Sequence, residues 1–275
     1  MKLARCAHEG VVWWGVVDGD VVTLLASDSE VAIGSWTTAA LHAALRHPAG
    51  VATLDAVTLL SPVPSPSKVI CIGLNYRDHA IESGMAIPTV PMVFAKFPSS
   101  VVGPGAAIVL PEDSDQIDWE VELAIVIGSP ARHVSEADAL DVVLGYTVSV
   151  DVSARDLQMS DGQFVRAKSY DTFCPVGPWL VTVDELGDAG DLGIGLKVNG
   201  ETLQDSRTSD LVFGVRELIA FLSRVGTLNP GDLILTGTPS GVGFGLDPQR
   251  YLNPGDEVSA WVEGIGELTN PVVAT

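Results

Sequence analysis

The run Asp118-Trp119-Glu120-Val121-Glu122-Leu123-Ala124-Ile125-Val126-Ile127-Gly128 constrains this chain more than any other segment. Apolar residues at 121, 123, 125 and 127 repeat with the period of two of a strand, and that period sends Glu120 and Glu122 to the opposite face. Adjacent carboxylates on one strand face repel and raise each other's pKa. The fold must therefore leave both solvated or place a cation between them. Asp151 ends a second strand-like run, Tyr146 to Val150, and can add a third hard oxygen ligand. Asp118 shares the face of the glutamates and is expected as a solvated entrance to the strand.

Around this run the chain reads as a mostly β, α+β protein. Strand signals fall at 69–72, 90–94, 107–110, 121–127, 145–150, 179–183, 196–198, 233–236 and 257–262. Helices are few and do not alternate with strands, which disfavours a doubly wound parallel sheet. Ser135 with Asp138 resembles a capping box opening a short helix through Val143, and the apolar spacing from Leu211 to Val225 predicts a helix over 209–225. Leu-Asn-Pro-Gly-Asp occurs at 228–232 and 252–256, each time before a strand, as suits a type II turn. The three prolines between Ser61 and Ser67 hold the chain extended. They divide a small N-terminal module, 1–65, from the body, 66–275. The module contains a hairpin (Val11 to Leu25) and a short helix (Thr37 to Arg46).

Charge narrows the partners. Fifteen basic and 35 acidic residues give a net charge of −20, which repels nucleic acid and anionic membrane surfaces. An anionic substrate then needs a locally positive pocket. No apolar stretch approaches the roughly twenty residues of a membrane span. Cys6, Cys71 and Cys174 are widely spaced, so zinc fingers and disulfide frameworks are excluded. Cys71 and Cys174 read as core residues, and the cytoplasm is the default compartment.

Four groups of residues can carry chemistry. Glu120, Glu122 and Asp151 offer only oxygen, which favours Mg²⁺ or Mn²⁺, with Ca²⁺ also suited, over Zn²⁺. Solvated surface carboxylates are the plain alternative. His79 and Glu82 lie three apart on one helical turn, the orienting arrangement of a general-base dyad or an ordinary surface pair. Arg155 and Gln158 are one turn apart beyond Asp151; with Lys168 they can grip a carboxylate or an oxyanion, or simply pair with surface acids. The segment Leu235-Thr236-Gly237-Thr238-Pro239-Ser240-Gly241-Val242-Gly243 lacks the Gly-Lys-Ser/Thr of a phosphate loop, so nucleotide binding is disfavoured. Its glycines can let backbone or Thr238 approach a small ligand, or can mark a plain turn.

The order of these motifs is more specific than any one of them. Gly-x-Asn-Tyr-x-x-His-x-x-Glu, Glu-x-Glu-Leu-Ala, Asp-Val-Ser-Ala-Arg-Asp-Leu-Gln, Lys-Ser-Tyr-Asp-Thr-Phe-Cys-Pro-x-Gly-Pro and Thr-Gly-Thr-Pro-x-Gly-Val-Gly follow one another over about 66–273. In that order they resemble the fumarylacetoacetate hydrolase family. The resemblance implies a mixed β-sandwich roll, usually homodimeric, with a divalent cation on Glu120, Glu122 and Asp151. It implies that His79 and Glu82 activate water on a short helix ordering over the substrate. Arg155, Gln158 and Lys168 would polarise substrate oxygens, while Tyr76 and Thr238 line the pocket. The eukaryotic fumarylacetoacetases carry a further aspartate ligand in the segment matching 70–75, where this chain has no acid. The resemblance therefore points to the three-carboxylate branch acting on acylpyruvates, oxaloacetate and related 2-oxo acids. The expected reaction is C–C hydrolysis of an acylpyruvate-like 2,4-dioxo acid through a metal-stabilised pyruvate enolate. Oxaloacetate-type decarboxylation and 2-hydroxyhepta-2,4-diene-1,7-dioate-type isomerisation are the alternatives on the same site.

Overall fold

Two mixed sheets organise the chain, and the computed structural model describes all 275 residues. Ten of the twelve strands in the larger sheet follow one path: Gly50–Thr53, Val21–Ser27, Val11–Asp18, Lys2–His8, Cys174–Thr182, Val143–Val150, Val121–Ile127, Leu233–Leu235, Val69–Gly73 and Met92–Lys96. The second sheet has five strands, ordered Glu201–Arg207, Gly193–Val198, Glu257–Val262, Gly266–Ala274 and Ile108–Leu110. Most pairings are antiparallel, but Leu233–Leu235 runs parallel to Val69–Gly73, and Gly266–Ala274 parallel to Ile108–Leu110. The mostly β, mixed-sheet expectation holds.

Side-chain alternation sorts the strand Val121–Ile127 between two cores. Val121, Leu123, Ile125 and Ile127 enter the larger cluster with Ile194, Leu196, Val258 and Ala260 of the second sheet. Ala124 and Val126 face the other way and pack with Leu3, Trp14, Trp36 and Leu41. The strand is buried along its whole length, because residues from the N-terminal segment cover the face that alternation alone would leave polar. Residues 2–27 also extend the main sheet directly, through the antiparallel pairs Lys2↔Val181 and Leu3↔Leu180.

Local signals are obeyed with two corrections. Thr37 caps the helix Thr38–Leu45, its Oγ1 accepting from Ala40 N–H at 3.1 Å. Gly231 and Gly255, at φ +83° and +96°, occupy the turn positions that the two Pro-Gly repeats call for. The helix expected over 209–225 is instead Val215–Val225. Asn75 captures the preceding residues: its carbonyl accepts from Val212 N–H (2.8 Å) and its Oδ1 from Phe213 N–H (2.9 Å). Ser135 does contact Asp138, at 2.7 Å between side-chain oxygens, but only a 3₁₀ turn, Ala139–Val142, follows.

Candidate active site and metal centre

The antiparallel pair Val121↔Val150 sets the start of one strand beside the end of the other, and Asp151 N–H donates to the Glu120 carbonyl at 2.8 Å. Glu120, Glu122 and Asp151 thereby converge. One oxygen from each lies within 4.8 Å of the others, and all three residues are buried. The solvated alternative for these acids is removed.

Three cations surround them. Lys168 Nζ bridges Glu120 Oε2 and Asp151 Oδ2, both at 2.7 Å. Lys96 Nζ lies 2.6 Å from Asp151 Oδ1 and donates to the Val152 carbonyl at 3.1 Å. Arg155 reaches Asp118 at 2.7 Å and Glu120 at 2.6 Å, and donates to Gln158 Oε1 at 2.9 Å. Burial pushes the Glu120 carboxyl up, but Lys168, Arg155 and His79 outweigh it and hold the group at about 2. Burial pulls the Lys168 ammonium down, and the Asp151 and Glu120 charges more than reverse this.

Glu122 is the acid without a cation partner. Its Oε2 accepts from Gly237 N–H at 2.6 Å. Burial first, then the charges of Asp151 and Glu120, drive its pKa well above the usual carboxylate range against the opposing pull of Lys168. Asp118, Glu120 and Asp151 are matched by Lys96, Arg155 and Lys168, so the negative charge that an ionised Glu122 adds has no partner in the protein. A metal ion fits that arrangement on two counts: the excess charge, and an all-oxygen set suited to a hard cation.

The segment 236–243 serves this cluster rather than a phosphate. Gly237 stands at φ +103°, and a Cβ there would come 2.8 Å from Asn75 Cβ, so glycine is what allows its N–H to reach Glu122. Gln204 ties the same segment to the strand of acids. Its Oε1 accepts from Val121 N–H (2.9 Å), and its Nε2 donates to Thr238 Oγ1 (2.8 Å).

His79 and Glu82 sit on the helix Arg77–Glu82, with Nδ1 and Oε2 2.9 Å apart. When Nδ1–H donates to that carboxylate, Nε2 is left as the acceptor, the form required of a base. The other Glu82 oxygen accepts from Gly241 N–H at 2.8 Å. Asp78 accepts from Ser240 N–H (3.2 Å) and its Oγ (3.1 Å), so the helix is bound to the 240–241 turn at both ends.

A cavity of about 280 Å³ is lined by His79, Glu120, Glu122, Arg155, Gln158, Lys168 and Thr238. A larger surface hollow of about 730 Å³, beside Arg166 and Tyr170, contains none of the three converging acids nor His79. Tyr76, expected on the pocket wall, is instead fully buried in the larger core and does not line the cavity. Asp118 is also buried rather than solvated: its carboxylate accepts from Arg155 and from the N–H groups of Trp119 (2.7 Å), Gly243 (2.6 Å) and Phe244 (3.0 Å). Lys96 and Gln204 escaped the sequence reading. A lysine closing the apolar run Met92 to Ala95 was the available signal for the first, whereas Gln204 carries none.

The family model described as fumarylacetoacetate (FAA) hydrolase, C-terminal, matches residues 68–273. This chain belongs to the fumarylacetoacetate hydrolase family. A second model, described as Rv2993c-like, N-terminal, matches residues 1–62. The mitochondrial oxaloacetate tautomerase of Rattus norvegicus is 50% identical over 218 residues, covering 79% of this chain and 70% of the relative. A 2,4-didehydro-3-deoxy-L-rhamnonate hydrolase from Sphingomonas sp. (strain SKA58) is 46% identical over 272 residues, covering 97% and 94%. Among solved structures, the 2-hydroxyhepta-2,4-diene-1,7-dioate isomerase of Mycobacterium marinum covers 100% of this chain and 99% of its own, at TM-score 0.84 and 41% identity. The protein is an enzyme of the fumarylacetoacetate hydrolase family, and its relatives include hydrolases, isomerases and tautomerases. No helix is long and apolar enough to cross a membrane.

Proposed function

We propose that this enzyme hydrolyses a C–C bond of acylpyruvate-like 2,4-dioxo acids, with Mg²⁺ or Mn²⁺ held by Glu120, Glu122 and Asp151. The observation that carries the reading is one cavity lined by a carboxylate-oriented imidazole, two of the acids, and the cations Arg155 and Lys168. When bound, the divalent ion supplies Lewis acidity toward the substrate's carboxylate and 2-oxo oxygens. Arg155, Gln158 and Lys168 orient those oxygens, and Thr238 borders the same cavity. His79 Nε2 takes a proton from water while Glu82 holds the ring through Nδ1. The hydroxide adds to the distal carbonyl, the C3–C4 bond breaks, and its electron pair passes into the pyruvate enolate. Protonation at C3 completes pyruvate, and the acyl fragment leaves as a carboxylate.

The near full-length similarity to a hydrolase of a 2,4-didehydro-3-deoxy sugar acid supports this reading over its competitor. A second reading, proton transfer or decarboxylation on oxaloacetate, is favoured by the 50% identical tautomerase. The isomerase neighbour supports a further proton-transfer variant. Incubation with acetylpyruvate, fumarylpyruvate and oxaloacetate in Mg²⁺, with products identified by mass, separates the readings. Acetate and pyruvate from acetylpyruvate are expected. Accelerated enol–keto exchange or CO₂ release from oxaloacetate, with acetylpyruvate intact, would transfer the assignment to the second reading.

The enzyme belongs in the cytoplasm on this reading, which three buried and unpaired thiols support. Residues 1–65 are a small N-terminal module that joins the main sheet, a division supported by the proline-rich segment and by family models that end at 62 and begin at 68. A homodimer is supported by exposed Ile81, Ile87, Val90, Val93 and Phe97 along and beside the edge strand Met92–Lys96.

A further inference from the structure

Apart from Met1 the chain has three methionines, and all three, Met85, Met92 and Met159, line the cavity that contains His79 and Glu120. They come from three separate places: the turn beyond the helix Arg77–Glu82, the edge strand Met92–Lys96, and the helix Arg155–Asp161. Phe94, Phe164 and Phe244 extend this apolar lining, with Phe94 and Phe164 packed edge to face at 5.3 Å between centroids.

The charged lining is taken up by the buried acids and, on the reading above, by the 2-oxo acid end of the substrate. Arg155 is paired with Asp118 and Glu120, Lys168 with Glu120 and Asp151, and no other lysine or arginine lines the cavity. A second carboxylate at the far end of a substrate would be desolvated without a free cation to offset the cost. An alkyl tail carries no such penalty and gains burial. Unbranched, polarisable thioethers repack around tails of different length.

We infer that this cavity selects 2,4-dioxo acids whose acyl group is a neutral, apolar chain, and that Met85, Met92 and Met159 set the preference. The inference rests on the 2,4-dioxo acid reading above and adds the substrate's tail to it. Met85 and Met159, 53% and 70% exposed, can be replaced without opening the core.

The test compares acetyl-, butanoyl- and hexanoylpyruvate with fumarylpyruvate on the Mg²⁺-loaded enzyme. Expected is a rise in kcat/KM of about threefold per added methylene. Fumarylpyruvate should fall at least about tenfold below hexanoylpyruvate. In Met85→Lys and Met159→Lys the order should move toward fumarylpyruvate by about tenfold. A readout independent of turnover is footprinting with a methionine-selective oxaziridine, which does not consume 2-oxo acids. Saturating 2-oxooctanoate should shield the three methionines from labelling, read by peptide mass, whereas 2-oxoadipate should not.

Fumarylpyruvate turned over as well as hexanoylpyruvate, or equal shielding by the two oxo acids, overturns the inference and leaves the hydrolytic reading standing. Lysine variants that keep the wild-type order overturn the assignment to these side chains. No turnover of any acylpyruvate overturns the hydrolytic reading instead, and the shielding contrast still decides the tail preference.

Discussion

Lys96 Nζ lies 2.6 Å from Asp151 Oδ1, and both side chains are wholly excluded from solvent. A pair buried so completely is costly to break from one side, because the remaining charge keeps its desolvation penalty. Lys96→Met should therefore destabilise the metal-free protein by about 3–5 kcal/mol. Mg²⁺ should recover more of the loss than it adds to wild type, since a cation among the acids replaces the missing charge. Thermal melts with and without Mg²⁺ check this; a variant as stable as wild type without metal would refute it.

Glu122→Gln should separate metal affinity from stability. Glutamine reproduces the neutral form that burial and the neighbouring acids favour at this position. Metal-free stability should stay within about 1 kcal/mol of wild type. Affinity for Mn²⁺ measured by calorimetry should fall at least about tenfold, as expected when a charged oxygen ligand becomes neutral. A large drop in the metal-free melting temperature would contradict the prediction.

Gly245 supports Glu82 from behind. A Cβ at Gly245 would come 2.5 Å from Glu82 Cδ, the far end of a flexible side chain. Gly245→Ala should leave the fold intact and move the carboxylate off His79 Nδ1, lowering kcat by about tenfold, less than loss of the base itself. His79→Ala, which removes the base itself, should cost about 10²–10⁴ in kcat with metal binding retained. Steady-state kinetics beside metal titration distinguishes these effects from misfolding.

Chelation should abolish turnover, and Mg²⁺ or Mn²⁺ should restore it. Dialysis against EDTA, followed by readdition of each ion, is the measurement. Full activity in a metal-stripped enzyme would remove the proposed role of the three acids.

Period-two alternation in 121–127, the turn chemistry at Pro230-Gly231 and Pro254-Gly255, and the cap at Thr37 were legible because each depends on a few consecutive residues. The order of short motifs was enough to identify the family and the acids that converge. Tertiary structure alone decided what shields them. Asp118 reads as a surface acid until Arg155 and the backbone of 243–244 close over it, and Lys96 reads like any other lysine until the sheet carries it to Asp151. Tyr76 and the segment 209–213 were misplaced for a related reason: core packing and Asn75, distant in sequence, outbid local preference there. Local backbone preference and side-chain period are written along the chain. Whether a buried charge is balanced depends on groups far away in sequence, 55 residues for Lys96 and Asp151 and 115 for Gly237 and Glu122, and only the folded chain brings those together.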